Sequence, residues 1–229
     1  LDTLDQIEKE YEDEMHILEN RLNELAKEAM GDTPINLASP DDKSMLLYSR
    51  RVKDKALWSM TFNLGHEMRG NTIKPKMKTR MKNTEFVRCV RRMTDIVYKT
   101  IGRQCQTCNG SGRVTPLKKD GSKGKAKRIC KVCIGKGVNY TSTGEVAGFK
   151  LIPRTVRDTA SAGFKTDKVT LEDRLSELDG NAREFCEAYV RYNALRTYLS
   201  TFVEGMKNNV DDDSFIHPEF MQCVTATGR

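Results

Sequence analysis

Residues 4–29 read LDQIEKEYEDEMHILENRLNELAKEA, and residues 185–206 read FCEAYVRYNALRTYLSTFVEGM. In the first stretch Leu4, Ile7, Tyr11, Met15, Leu18, Leu22, Leu25 and Ala29 recur at steps of three and four. That spacing lays them on one stripe of a helix about 28 residues long, which Gly31 can terminate. In the second stretch Phe185, Tyr189, Tyr192, Leu195, Leu199, Phe202 and Met206 repeat at the same steps. The second stripe is aromatic, and aromatic side chains at helical spacing serve core packing far more often than a cofactor. Two long amphipathic rods, one near each end of the chain, bury their stripes best against each other as an antiparallel pair with everything else inserted between them. The expected fold is mainly α with a small β insertion.

Between the rods, Ser39 is a natural N-cap, Pro40 suits the first helical position, and Asp41 and Asp42 favour the positive end of the dipole. A short helix is therefore expected from about residue 40. Residues 51–82 carry a weak signal: Trp58, Met60, Phe62 and Leu64 could pack, and TIKPKMKTRMK (72–82) is a basic connector. Residues 84–93 read as helix, then IVYKTIGRQC (96–105) alternates apolar and polar residues like a strand running into Cys105. VAGFKLIP (146–153) reads as another short strand, and Thr170 is placed to cap a brief helix through Leu175. DDDSFIHPEF (211–220) breaks the second rod and starts a strand, with Asp211, Asp212 and Asp213 in a solvated turn and His217 as a hydrogen-bonding structural residue.

CQTCNGSG at 105–112 returns as CKVCIGKG at 130–137. Each CxxC can offer two thiolates to one ion, and the following glycines permit the tight backbone that folds amides toward sulfur. Cys105, Cys108, Cys130 and Cys133 are thus expected to hold one structural zinc, in two knuckles joined by a hairpin. Four unrelated thiols would leave the repeated glycines unexplained, and a redox role for one CxxC is the weaker rival because the doubled knuckle has an immediate structural use. Between the knuckles, Asp120 and Gly121 signal a turn flanked by Lys118, Lys119, Lys123, Lys125, Lys127 and Arg128, which pictures a zinc-stapled finger with a cationic tip. The knuckles resemble the cysteine-rich modules of DnaJ-type chaperones, which carry four CxxCxGxG repeats where this chain has two. The tripeptide His-Pro-Asp of the J-domain does not occur in it, so the likeness is to the module alone.

The 229 residues suffice for one sizeable core or two modest ones, and seven cysteines, four of them in CxxC pairs, suit a reducing compartment and a metal better than disulfides. No apolar run approaches the roughly 18 residues that span a bilayer. The net charge of +7 conceals a polarity: residues 1–30 hold 3 Lys/Arg against 10 Asp/Glu, whereas residues 50–136 hold 24 against 5. Such a contiguous basic stretch points to a polyanion partner, and nucleic acid is the obvious one.

IHPEFMQCVTATGR (216–229) resembles the segment that leads from thumb to palm in family A DNA polymerases, approximately I-H-T-S-F-x-Q-x-V-T-A-T-G-R-L-S-S. INLASP (35–40) is similar to that family's N-x-x-S-P, TASAGFKTDKVTLEDRL (159–175) to its T-x-T-G-Y-S-T-x-x-x-x-L, and LSTFVEGM (199–206) to the S-T-Y segment of its second thumb helix. The four motifs follow the family's order and cover residues 1–50 and 155–229. About a hundred residues, including the zinc module, intervene where the family's ordinary thumb has a few dozen. Some phage members carry a processivity-enhancing thumb insertion, so the chain looks phage-type.

The resemblance implies a thumb over 1–50 and 155–210, an insertion over 51–154 with its zinc module at about 95–150, and the start of the palm at 211–229. It implies that Asn36, Ser39, Ser200 and Thr201 contact the phosphodiester backbone, that Thr225 and Thr227 line the duplex, and that Arg229 reaches the minor groove. Thr197 stands where many relatives have lysine, a departure that puts the grip there in doubt. The partners so implied are primer–template DNA and, at the insertion, a processivity protein, with no membrane. The family's two magnesium-binding aspartates lie beyond T-G-R, so both ends read as cuts, no catalytic residue is expected in this chain, and magnesium would be held elsewhere in the intact enzyme. A cytoplasmic location is expected, in the host cytoplasm for a viral protein. Two rivals remain at this point: a free-standing zinc-containing DNA-binding or adaptor protein, and a chaperone-like peptide binder.

Overall fold

A computed structural model describes residues 2–62, 64, 66–69, 72–75, 81–116, 127–161, 163–210 and 215. In chain order the elements are α1 (Asp2–Met30), α2 (Pro40–Tyr48), β1 (Arg50–Val52), α3 (Lys55–Thr61), β2 (His66–Arg69), β3 (Thr72–Pro75), α4 (Asn83–Met93), β4 (Thr94–Ile96), β5 (Tyr98–Gln104), β6 (Arg113–Val114), β7 (Arg128–Ile129), β8 (Val138–Val146), β9 (Thr159–Ala160), β10 (Gly163–Phe164), α5 (Lys168–Glu172), α6 (Gly180–Thr197) and α7 (Glu204–Asn209). A π-helical segment, Tyr198–Val203, joins α6 to α7. The protein is mainly helical, with small antiparallel two-stranded sheets. It divides into two compact units, residues 1–23 with 184–229 and residues 24–183. Residues 24–50 and 155–183 therefore fold together with 51–154 in one unit.

The first unit is held by the two rods. The stripe of α1 is buried or half-buried at every position the spacing marks, from Leu4 to Leu22. Glu14 accepts from both Nε and Nη2 of Arg191 at 2.7 Å, Glu184 accepts from Arg21 at 2.6 and 3.0 Å, and Lys207 bridges Asp5 and Glu8. These pairings run in opposite directions along the two segments, so the rods are antiparallel, as the stripes require. The second stripe departs from its expected line. Phe185, Tyr189 and Leu195 are buried, but Phe202 and Met206 are 51% and 41% exposed, and Val203 takes the inward place. The π segment is the reason. Its wider turn delays the return to the inward face by about one residue, from 202 to 203.

In the second unit a chain of aromatic rings forms the core. Tyr48 of α2 meets Phe164 of β10 at 4.7 Å between centroids, Phe164 meets Trp58 of α3 at 5.4 Å, Trp58 meets Phe62 at 4.6 Å, and Phe62 meets Phe86 of α4 at 5.8 Å. Trp58 donates its indole N–H to Ala160 O at 2.8 Å, which satisfies its one polar atom inside the core. Asp54 starts α3 by accepting from the Ala56 and Leu57 amides at 2.8 and 3.0 Å. Met60 lies on the other side of that short helix and is 72% exposed. Two other expectations are corrected here. The N-cap of α5 is Asp167, whose carboxylate accepts from the Thr170 amide, because an ionised acceptor at the first turn outcompetes a hydroxyl further on.

VAGFKLIP is the second correction: β8 ends at Val146, Ala147 N still donates to Val97 O next to β5, and from Gly148 on the segment pairs with helix ends, not with a strand. Phe149 N donates to Leu46 O and Leu151 N to Leu47 O, both at 2.9 Å, and Gly148 N donates to Ala29 O at 2.8 Å. Gly148 at φ 81 and Lys150 at φ 59 break the extended geometry that a ladder needs. The segment instead supplies donors to the last carbonyls of α1 and α2, which have no partner within their helices.

The strands β5 and β8 form the stem that carries the cysteines. They pair antiparallel from Tyr98↔Val146 to Gln104↔Val138, with a register shift between Tyr98 and Thr100. The base of the stem is fixed to the end of α1: Asp32 N donates to Thr100 O at 2.8 Å, and Asp32 Oδ2 accepts from Gly102 N at 2.8 Å. No described helix is long and apolar enough to cross a membrane. The strand expected within 211–220, and His217 with it, lies outside the described residues apart from Phe215.

Candidate metal centre and nucleic-acid contacts

Cys105 follows directly on β5, and β8 begins directly after Gly137, so the stem delivers both knuckles to one place. The sulfur atoms of Cys105, Cys108, Cys130 and Cys133 all lie within 4.8 Å of one another, and all four residues are buried. Cys105 and Cys130 sulfurs are 3.9 Å apart, and Cys108 and Cys133 sulfurs 3.6 Å. Four thiolates at about 2.3 Å from a zinc ion sit about 3.8 Å from each other in a regular tetrahedron, so the donor set and its spacing fit one structural zinc. Bound there, the metal would staple the two knuckles.

The knuckles are related by a local two-fold pattern. Gly110 N donates to Cys105 O and Gly135 N to Cys130 O, both at 3.2 Å; Ser111 N donates to Cys108 O and Lys136 N to Cys133 O, both at 3.0 Å. Across the pair, Cys105 N donates to Gly137 O at 2.8 Å and Cys130 N to Gly112 O at 2.9 Å. Gly137 N donates to Cys133 Sγ at 3.2 Å, as the expected folding of amides toward sulfur requires. The last glycines also do something the spacing did not disclose. A Cβ on Gly112 would lie 2.2 Å from Gly135 O, and one on Gly137 would lie 2.2 Å from Gly110 O. Each knuckle can close on the other only because these two positions have no side chain.

The surroundings act on the thiols in opposite directions. Burial raises the Cys105 thiol, but the Cys108 and Thr107 amides stabilise its thiolate and bring it down to about 6. Burial, with the hydrogen bond to Cys133, pushes Cys108 up to about 11. Cysteine binds a metal as the thiolate, so a metal entering this site would release protons.

The finger leaves the module through β6 and β7, which pair Arg113↔Ile129 and Val114↔Arg128, so the expected hairpin starts between the knuckles. Lys127 and Arg128 are exposed at its base. Lys118, Lys119, Lys123 and Lys125, with the turn at Asp120 and Gly121, lie outside the described residues, as do Thr225, Thr227 and Arg229.

Of the remaining expected DNA contacts, Asn36 and Ser39 belong to the unit of residues 24–183, and Ser200 and Thr201 to the other. Asn36 is exposed; its Oδ1 accepts from Ala38 N at 2.9 Å. Ser39 is half-buried and its Oγ caps α2 through Asp42 N at 3.3 Å, which leaves its hydroxyl proton available. Ser200 and Thr201 are exposed within the π segment, and Ser200 Oγ donates to Arg196 O at 2.9 Å.

Sequence reasoning missed Ser44, which ties α2, the helix that INLASP leads into, to the motif at 159–175: its Oγ accepts from Phe164 N at 2.8 Å, and a Cβ on Gly163 would lie 2.4 Å from it. A serine directly before the apolar run MLLY of that helix was the available signal. It missed Arg174 as well, a buried cation that donates two hydrogen bonds at 2.7 Å to Ile152 O. Compared with known proteins, the chain matches no protein-family model, no curated protein and no solved structure.

Proposed function

We propose that this chain is the duplex-gripping part of a family A DNA polymerase, carrying a zinc-stapled insertion, and that it holds primer–template DNA while the rest of the enzyme adds nucleotides. The observation that carries the reading is the packing of α2 on the β9–β10 hairpin. INLASP leads into α2 and TASAGF forms the hairpin, and the Ser44–Phe164 bond joins them across 120 residues of sequence. Two segments chosen for resemblance alone thus belong to one local structure. The exposed Ser200 and Thr201 add support, since a π segment within a long helix often marks a functional site. In this reading the grip uses hydroxyl, amide and cationic groups on phosphate and sugar, because a polymerase must hold every sequence alike.

Fluorescence anisotropy with a labelled primer–template tests the reading. The full chain should bind duplexes of unrelated sequence equally, and Asn36→Ala and Thr201→Ala should each weaken binding by about 0.5–1.5 kcal/mol, the worth of one hydrogen bond. With deoxynucleotides and magnesium or manganese it should extend no primer. Template-directed extension, or duplex affinity indifferent to both substitutions, overturns the assignment.

A further inference from the structure

On the unit of residues 24–183, outside the metal centre, a pocket of about 380 Å³ opens between α2, α4 and the segment that follows β8. Its floor is apolar, with Phe86, Val90 and Leu151 buried beneath it. Its walls carry aliphatic side chains in contact with water: Ile152 is 76% exposed, Ile96 42% and Val87 38%. Three cations complete the lining, Arg50, Arg91 and Lys150, and among the described residues no carboxylate does. Lysines and arginines nearby are matched with acids, such as Lys53 with Asp95 and Lys99 with Glu145, but these three side chains have no acidic partner among the described residues.

The backbone at the mouth is strained in a way that serves the lining. Ser49 and Lys150 both hold left-handed conformations, at φ 55 and φ 59, and Ser49 Oγ accepts from Lys150 N at 2.9 Å. A lysine there costs about 1–2 kcal/mol of conformational energy that glycine would avoid. Strain of this kind gathers at ligand clamps. Keeping a lysine, unpaired and exposed, makes sense when its ammonium is needed at that rim.

The geometry points to a docking site for an acidic peptide segment of a partner protein, with one bulky aliphatic side chain inserted between Ile96 and Ile152 and its flanking carboxylates on Arg50, Arg91 and Lys150. Charge complementarity selects the acid and the aliphatic walls select the anchor. Nucleic acid fits less well. The two rings in the lining, Tyr48 and Phe86, are 2% and 0% exposed, so no aromatic face is offered to a base, and phosphate contacts alone would leave Ile152 in water. The size lies in the range of pockets that enclose a ligand group, and the cationic rim gives orientation.

The test uses the full chain and fluorescein-labelled octapeptides of aspartate and glutamate with one central leucine, or glycine in its place. The leucine peptide should bind about tenfold to hundredfold tighter than the glycine peptide, the worth of one buried leucine side chain. Arg91→Gln and Lys150→Gly should each weaken the leucine peptide at least threefold; the glycine suits the left-handed backbone, and Trp58 fluorescence reports that the core is intact. Equal affinity for the two peptides overturns the proposal, because the basic surface alone is then the binder. Affinity unchanged in both variants places the peptide elsewhere and also overturns it. Decanoate that binds with the same dependence on Arg91 and Lys150, where the peptide does not, makes the occupant a free amphiphile. A DNA duplex that displaces the leucine peptide from the wild type and not from the variants makes it nucleic acid. Either result ends the peptide assignment without touching the polymerase reading, whose test depends on Asn36 and Thr201.

Discussion

At the scale of the residue, the four-cysteine module is governed by where a side chain cannot be. Gly112 and Gly137 take φ 71 and φ 74 while touching the opposite knuckle's carbonyl, so two independent constraints fall on each. Gly112→Ala should add about 1–2 kcal/mol of left-handed strain and a backbone collision that no rotamer relieves. Gly144, at φ 86 with nothing within 4 Å of a Cβ, isolates the strain term. Chelator competition should therefore show zinc affinity at least tenfold weaker in Gly112→Ala and nearly unchanged in Gly144→Ala. Equal zinc affinity in both would remove the contact between knuckles as the reason for the motif. Asn109 and Ile134 hold matching left-handed positions at φ 47 and φ 51, and only asparagine suits that conformation. Ile134→Asn should raise the module's stability by about 1 kcal/mol in denaturant titration. The cysteines and glycines were legible because ligand chemistry fixes their spacing. The reciprocal approach of Gly112 to Gly135 was not, since it joins residues that only the folded hairpin brings together.

At the scale of the element, long periodic segments were readable and short ones were not. Both rods show their stripes over many turns, and α2 announces its start through Ser39, Pro40 and two aspartates. By contrast α3 is 7 residues long, too short for a stripe, and rests on the Asp54 cap and on burial of Trp58. VAGFKLIP had strand-like composition, yet its partners are helix carbonyls far away in sequence, which no local pattern records. The rods also carry a pH dependence. Hydrogen bonds from Arg191, Arg21 and Lys207 hold the Glu14, Glu184 and Asp5 carboxyls below their ordinary values of 4.5, 4.5 and 3.8. A carboxyl depressed in the folded state stabilises it above the ordinary pKa, and that contribution is lost as the pH falls through the folded value. Thermal melting by far-ultraviolet circular dichroism should thus show wild type and a Glu14→Gln, Glu184→Gln variant converging as the pH drops below 4.5. The gap above that pH should also narrow with salt, because these pairs are solvent-exposed. A gap that persists at low pH would assign the stabilisation to side-chain packing.

At the scale of the whole molecule, charge is segregated along the chain, with a balance of −7 over residues 1–30 and +19 over residues 50–136. Part of the acidic surplus is used within its own unit, where Asp5, Glu8 and Glu14 pair with Lys207 and Arg191. At the base of the finger Lys127 and Arg128 are exposed, and neither has an acidic partner among the described residues. A metal that fixes the knuckles would hold the base of this finger before any encounter, so its charges would lose little freedom on meeting phosphate. Each phosphate neutralised releases condensed counterions, and the log of affinity falls against log salt with a slope of about −0.9 per contact on duplex DNA. With about half of Lys118, Lys119, Lys123, Lys125, Lys127 and Arg128 on phosphate, changing all six to glutamine should shrink the salt slope by roughly three and weaken every duplex sequence alike. Zinc content should stay the same, because none of the six is a ligand. An unchanged slope with zinc retained would mean that the finger meets no DNA, and its cations would then have to be explained by a protein partner.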